Sequence, residues 1–354
     1  MSDGLAVDQF VPALLPHDAV GGHTLESRRA FREAGLETTI WARTIHHEYA
    51  GAARPYSQFG RLAVSSRQRL LLYQAATVSH GIVDYLLKRP EPKSISYHNL
   101  TPPEFYDPFS PSVAAELRKA ALELANLAAR VRVATADSQF NAADLKKLGV
   151  PDVRVIPPFL AAGNLLPPDP AEVAGLRVGK RGPALLFVGR LVPNKNHQQL
   201  IRLVATLRAG WNAQTKLYLV GPDGPTAYVA ALHRLAARLA PTGVIFMGTV
   251  RAARLRALYE VADVFVSMSQ HEGFGLPLVE AMQARLPVVA LERGAVGETL
   301  GGSGVVLRSS ELTFAAAMVA RVIEDEALRN RLIEGQAQRA RELQSIPRDY
   351  LLVA

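Results

Sequence analysis

Four charged residues in or just after two glycine-bearing loops are the first candidates for chemistry in this chain. Arg190 and Lys195 follow the apolar run Ala184–Val188 and precede a helical pattern from Asn196, a residue type that can cap it. Gly189 lets the backbone turn tightly between strand and loop. Two cations beside a helix N-terminus suit a phosphate or pyrophosphate, because backbone donors, helix dipole and side-chain charge act together. Surface loops often hold two cations, so this pattern alone leaves a solvated loop open. Glu272 and Glu280 stand eight positions apart in SMSQHEGFGLPLVEAMQARLPVVA, Ser267–Ala290. Gly273 and Gly275 permit close approach of backbone to a ligand. Pro277 suits a first helical turn, and Glu280 falls early in the helix that follows. A loop glutamate is usually solvated and an early helical one merely favours the dipole. The two carboxylates therefore gain meaning from the whole string, not from their spacing.

Three stretches in the first half place polar groups beside strand-like runs. DAVGGH, Asp18–His23, precedes a helical pattern from Thr24. It reads either as a loop whose Gly21 and Gly22 amides reach a phosphate or as a flexible surface turn. YHNLTPPEF, Tyr97–Phe105, places His98 and Asn99 after the run Ser94–Tyr97, where open parallel sheets bind ligands. A satisfied structural histidine is the alternative. In ADSQFN, Ala136–Asn141, Ser138 or Asp137 can cap the helix ending near Gly149, or Ser138 can face a ligand. His46, His47 and Glu48 are adjacent, without the helical spacing of a zinc site. There is no Asp-x-Asp motif, so neither a metal nor a further cofactor is expected.

The elements that must position these residues alternate in type. Strand-like runs fall at Thr38–Ala42, Ser94–Tyr97, Val131–Ala134, Val153–Ile156, Ala184–Val188, Lys216–Val220, Val244–Met247, Val264–Ser267 and Val288–Leu291. Amphipathic patterns at Thr24–Ala34, Pro111–Ala129, Asn196–Arg208, Ala227–Ala240 and Ala252–Ala262 lie between them. Such alternation predicts α/β architecture with parallel sheets covered on both faces. Prolines 157, 158, 167, 168 and 170 mark a break. The expected layout is a domain over 1–160, a Pro-rich linker over 161–183, a second domain over 184–340 and a short tail or crossover over 341–354. The 354 residues suffice for two cores.

Composition narrows the classes. No apolar run approaches the roughly 20 residues of a membrane span. MSDGLAVDQF lacks a basic stretch followed by an apolar run, so no signal peptide is expected. The absence of cysteine excludes disulfides and thiolate chemistry and is compatible with a reducing cytoplasm. The net charge of +8 comes from cations scattered among acids, with no nucleic-acid module. A solvated surface is the simplest account. Contact with an anionic membrane, as a peripheral protein of its inner face, or with a phosphorylated acceptor is the other.

LLFVGRLVPNKNHQQLI, LYLVGPDG, MGTV and above all HEGFGLPLVEAM followed by PVVA resemble the retaining GT-B glycosyltransferases of family 4. The fold implied is GT-B, two Rossmann-like parallel-sheet domains facing a central cleft, with the nucleotide-sugar donor site in the second. By that resemblance Glu280 binds the ribose and Glu272 the transferred sugar. The backbone of Gly273, Phe274, Gly275 and Leu276 assists Glu272. Arg190 and Lys195, with Gly189, hold the pyrophosphate. Gly221 and Met247–Arg251, including Val250, line the base pocket. In the first half, DA-x-G, YHN-x-TPPE and DS-x-FN resemble bacterial polysaccharide-assembly members. This implies that Gly21 and Gly22 approach the donor and His98 faces its sugar, with Asn99 and Ser138 on the acceptor side. The implied reaction moves a sugar from a UDP-, GDP- or similar donor to a hydroxyl of a carbohydrate or lipid-linked acceptor. Competing readings are a silent nucleotide-sugar-binding partner subunit, or an enzyme of this fold using phosphate or water. A dehydrogenase lacks its G-x-G-x-x-G fingerprint here. The family usually has glycine where Arg285 stands, and a left-handed residue there costs about 1 kcal/mol without it.

Overall fold

The computed structural model describes residues 5–16, 18–62, 68–158 and 167–346. The chain divides into two compact units: residues 1–104, 112–161 and 346–354, and residues 105–111 with 162–345.

The first unit carries a seven-stranded parallel sheet. Its strands are β1 (Leu5–Leu14), β2 (Glu37–Ile45), β3 (Ala53–Pro55), β4 (Gln68–Ala75), β5 (Lys93–Tyr97), β6 (Val133–Ala136) and β7 (Asp152–Val155), ordered β3-β2-β1-β4-β5-β6-β7. Helices α1 (Ala19–Glu33), α2 (Phe59–Leu62), α3 (Ile82–Leu87), α4 (Pro111–Ala128) and α5 (Gln139–Lys147) connect them. In the second unit β8 (Ala184–Val188), β9 (Lys216–Val220), β10 (Val244–Gly248), β11 (Val264–Ser267), β12 (Val288–Leu291) and β13 (Val305–Leu307) form a sheet ordered β10-β9-β8-β11-β12-β13. Its helices are α6 (Pro170–Val178), α7 (His197–Gly210), α8 (Thr226–Leu239), α9 (Ala252–Val261), α10 (Leu276–Gln283), α11 (Val296–Leu300), α12 (Leu312–Glu324) and α13 (Glu326–Ser345).

Both sheets reverse their winding once, at β1/β4 and at β8/β11. Doubly wound sheets bind ligands beyond the carboxyl ends of their strands at such a switch point. Helices cover both faces of the second sheet, so its strands read as unbroken apolar runs. Leu185, Phe187, Leu217, Leu219, Val264 and Val266 are buried with Leu200, Leu203 and Val204 of α7.

Three elements depart from the sequence pattern. The segment 161–183 contains α6, whose N-cap Asp169 accepts a hydrogen bond from the Ala171 amide. Residues 161–166 of that segment, with 159 and 160 before it, and 347–354 of the expected tail lie outside the described residues. Strand β1 hides in the sequence because Asp8, Gln9 and Pro12 interrupt its apolar run. The fold accommodates them: Asp8 accepts from Trp41 Nε1 and Arg69, each at 2.7 Å, and pairing with β4 ends at Phe10, before Pro12. Strand β6 starts two residues later than its apolar run, at Val133.

Arg285 adopts φ +57. Its amide donates to Met282 O at 3.1 Å and that of Leu286 to Ala281 O at 2.9 Å, a Schellman closure of α10. Arg285→Gly relieves about 1–2 kcal/mol of left-handed strain against roughly 0.4–1 kcal/mol of added unfolded-chain entropy. We therefore expect its urea midpoint to rise. A lower midpoint refutes the strain argument.

Candidate functional site

The strand ends of the second sheet are stitched together by glycines. The Gly189 amide donates to Val220 O at 2.8 Å and the Gly221 amide to Gly248 O at 2.9 Å. A Cβ on Gly221, at φ +144, would lie 2.2 Å from Gly189 O, so only glycine lets these loops approach. Arg190 then projects as an exposed side chain. Its charge acts on the nearby Tyr106 hydroxyl, partly opposing the upward push of burial on that phenol.

Pro193–Lys195 forms one 3-10 turn, and Asn196 follows at φ +56. Asn196 occupies the cap position of α7, yet its side chain makes no capping bond, contrary to the expected role. Asn194 holds the two switch-point loops together. Its carbonyl accepts from the Gln270 amide at 2.8 Å and its Nδ2 donates to His271 O at 3.4 Å. With the loops so tied, Lys195 Nζ reaches Glu272 Oε2 at 2.7 Å, the two side chains 23% and 12% exposed.

The glycine loop is anchored through its carbonyls. Glu272 O accepts from the Ala295 amide at 2.9 Å and Phe274 O from Thr299 Oγ1 at 2.6 Å. A Cβ on Gly294 would sit 2.2 Å from Glu272 O. The amides of Phe274, Gly275 and Leu276 have no acceptor among the described residues. An anion placed there would meet unsatisfied donors at the start of α10.

Glu280 has different surroundings. Its Oε2 accepts from the Tyr259 hydroxyl at 2.7 Å. Burial, reinforced by the Glu280 charge, raises that phenol well above its ordinary value, so it stays a donor. Glu280 and Tyr259 line a cavity of about 290 Å³ with Leu255, Arg256, Pro167 and Pro168. Lys195, Glu272, Val250 and Gly221 do not line it. The structure thus joins Lys195 to Glu272 and sets Glu280 apart in a concave pocket.

His197 opens α7 directly behind this loop. Burial is the main cause that pushes its imidazole down to about 3, and Lys195 adds to the effect. Between about pH 6.5 and 3 the unfolded chain therefore takes up a proton that the folded chain refuses. Stability falls as pH falls, by roughly 1.4 kcal/mol per unit from this group. His197→Gln should flatten the loss of urea stability between pH 7 and 4.5. An unchanged slope would remove His197 as its cause.

In the first unit His98 follows β5 as expected, but it is enclosed. Its Nδ1 meets Asp137 Oδ1 at 3.0 Å, and its Nε2 meets Gln74 Oε1 at 2.7 Å and Ser96 Oγ at 3.2 Å. Gln74 Nε2 in turn donates to Gln9 at 2.9 Å. The His98 ring stacks edge-on with His23 at 4.6 Å, and its side chain is 4% exposed. This is a satisfied histidine, positioned where three adjacent strands end. Asn99 follows at φ +79.

Two expectations are corrected here. DAVGGH is not a loop: α1 begins at Ala19, with Asp18 as its cap. The Gly21 amide donates to Asp18 Oδ2 at 2.7 Å and that of Gly22 to Asp18 O at 2.9 Å, so neither is left for a phosphate. Ser138 is fully buried and caps α5 through the Asn141 amide at 3.1 Å, which removes it from the acceptor side. His46, His47 and Glu48, set aside on spacing, bring ligand atoms within 4.8 Å of one another through a 3-10 turn, with His47 and Glu48 exposed. Among the described residues no helix is long and apolar enough to cross a membrane. Tyr259 and Gln74 lie in apolar runs that read as packing, and Asn194 is one of several polar residues in its loop, its partners Gln270 and His271 being far along the chain.

Residues 171–339 match the family model described as Glycosyl transferases group 1. The chain is 28% identical over 262 residues to O-antigen chain mannosyltransferase B of Escherichia coli, covering 71% of this chain and 66% of that one. It is 34% identical over 167 residues to D-inositol 3-phosphate glycosyltransferase 2 of Catenulispora acidiphila, covering 45% and 36%. It thus spans less than two thirds of either relative. Among solved structures, Anabaena HepE in complex with UDP and glucose superposes with a TM-score of 0.69 at 19% identity, covering 95% of each chain. The chain has the GT-B fold of two parallel-sheet α/β domains, and its second unit carries the match to group 1 glycosyl transferases.

Proposed function

We propose that the chain is a retaining glycosyltransferase of family 4. It moves a sugar from a nucleotide-sugar donor to a hydroxyl of a carbohydrate or lipid-linked acceptor, in polysaccharide or glycoconjugate assembly in the cytoplasm. The observation that carries this reading is the Lys195–Glu272 pair at the β8/β11 switch point, beside the unsatisfied amides of Phe274, Gly275 and Leu276.

Departure of a nucleoside diphosphate develops negative charge on its pyrophosphate. Lys195, Arg190 and the loop amides are the groups suited to stabilise it. Once Lys195 turns to phosphate, the Glu272 carboxylate accepts hydroxyls of the transferred sugar. Glu280, fixed by Tyr259, holds the ribose in the adjoining cavity. Same-face attack, with the leaving phosphate oxygen taking the acceptor proton, retains the anomeric configuration and needs no hydrolase-type carboxylate pair. HepE, crystallised with UDP and glucose, and the mannosyltransferase relative agree with such a donor class.

Thermal shift with UDP, GDP, ADP and TDP tests the donor. A ligand that binds only the folded chain raises its melting temperature. Product analysis with labelled nucleotide sugars then tests transfer and configuration. No response to any of the four nucleotides sinks the donor site. An inverted product sinks retention, and binding without turnover favours a silent partner subunit.

A further inference from the structure

A second polar cavity, of about 370 Å³, lies at the edge of the first sheet. It is bounded by Arg28 and Arg32 of α1, Thr38 and Thr39 at the start of β2, and residues 50–54 leading into β3. Thr38 is the second residue of β2, so this cavity flanks the amino ends of β2 and β3, opposite the carboxyl ends where His98 stands. No carboxylate lines it, and among the described residues Arg28, Arg32 and Arg54 form no ion pair. Arg28 is half-buried and held in place by donating to Ala52 O. Thr38 is 6% exposed, and its buried Oγ1 has no hydrogen-bond partner.

Each feature is unfavourable without an occupant. Three like charges around one concavity repel, and burial together with Arg32 lowers the affinity of the Arg28 guanidinium for its proton. An orphaned buried hydroxyl forgoes the bonds it had in water. A tetrahedral oxyanion relieves both, because guanidinium forks match its paired oxygens and a hydroxyl supplies one more donor.

We propose that this cavity binds a phosphate group, carried either by a soluble phosphorylated ligand or by a lipid headgroup. The reading does not rest on the donor site, which belongs to the other unit and is tested by nucleotides.

Two probes distinguish the sources: inorganic phosphate at fixed ionic strength, read by thermal shift, and vesicles of phosphatidylglycerol in phosphatidylcholine, read by co-sedimentation. We expect the wild-type chain to bind at least one, and R28Q/R32Q to weaken that binding at least tenfold. The charge-matched R234Q/R238Q, on exposed α8 positions, should stay within about twofold, which separates a site from net charge. Thr38→Val keeps the shape and should weaken the same ligand about threefold while melting no lower than wild type without it. A phosphate response without vesicle binding assigns a soluble ligand, and vesicle binding assigns a headgroup. Failure of the wild-type chain to bind either probe overturns the proposal. So does equal loss in R28Q/R32Q and R234Q/R238Q, or unchanged affinity in both R28Q/R32Q and Thr38→Val.

Discussion

Glu280→Ala is expected to lower kcat/KM for the nucleotide sugar at least tenfold, roughly 1.4 kcal/mol, mainly through a weaker donor KM. The carboxylate faces a cavity and accepts a hydrogen bond from the neutral Tyr259 hydroxyl at 2.7 Å. If it grips a ribose, it does so equally before and during transfer, and uniform binding appears in KM. Tyr259→Phe should give the same pattern in miniature, about threefold, because Glu280 keeps its charge and loses only its orientation. Unchanged donor affinity in folded Glu280→Ala would detach this cavity from the donor.

Lys195→Ala should instead act on kcat, again by at least tenfold, since a cation that meets charge developing on the leaving group acts chiefly in the transition state. The ion pair adds a second signature. Removing Lys195 leaves Glu272, only 12% exposed, without its cation, and removing Glu272 frees Lys195 for phosphate. Residues in direct contact are coupled, so the Lys195→Ala/Glu272→Ala double variant should lose less than the product of the single losses. Strictly multiplicative losses would mean that the two act independently. Near-normal transfer by purified, folded Lys195→Ala would remove it from the site.

The second unit was largely legible because burial on both faces writes its strands as apolar runs. β8, β9, β11 and β12 coincide with runs visible in the sequence. The first unit was less so. Asp8 and Gln9 look like strand breakers until Trp41, Arg69 and Gln74 are seen to satisfy them. Gly21 and Gly22 look like a loop because glycine propensity argues against a helix, whereas the Asp18 cap outweighs it. For the candidate site, the sequence displays the residues but not their pairing. Lys195 and Glu272 are 77 positions apart and meet only because the strand order places β8 beside β11. The enclosure of His98 is equally non-local, since its partners Gln74 and Asp137 come from the ends of β4 and β6.

The short stretch Phe105–Pro111 belongs to the second unit although the chain reaches it long before residue 162. Phe109 packs edge-on against Tyr228 at 4.9 Å, and the Phe105 ring lies 6.5 Å from that of His271. A chimera that grafts only residues 162–345 onto another N-terminal half would therefore arrive with a ring missing from its own interior. Any exchange of the second unit between relatives must carry this heptapeptide along. That makes the tract just downstream of His98 travel with the partner it was not translated beside.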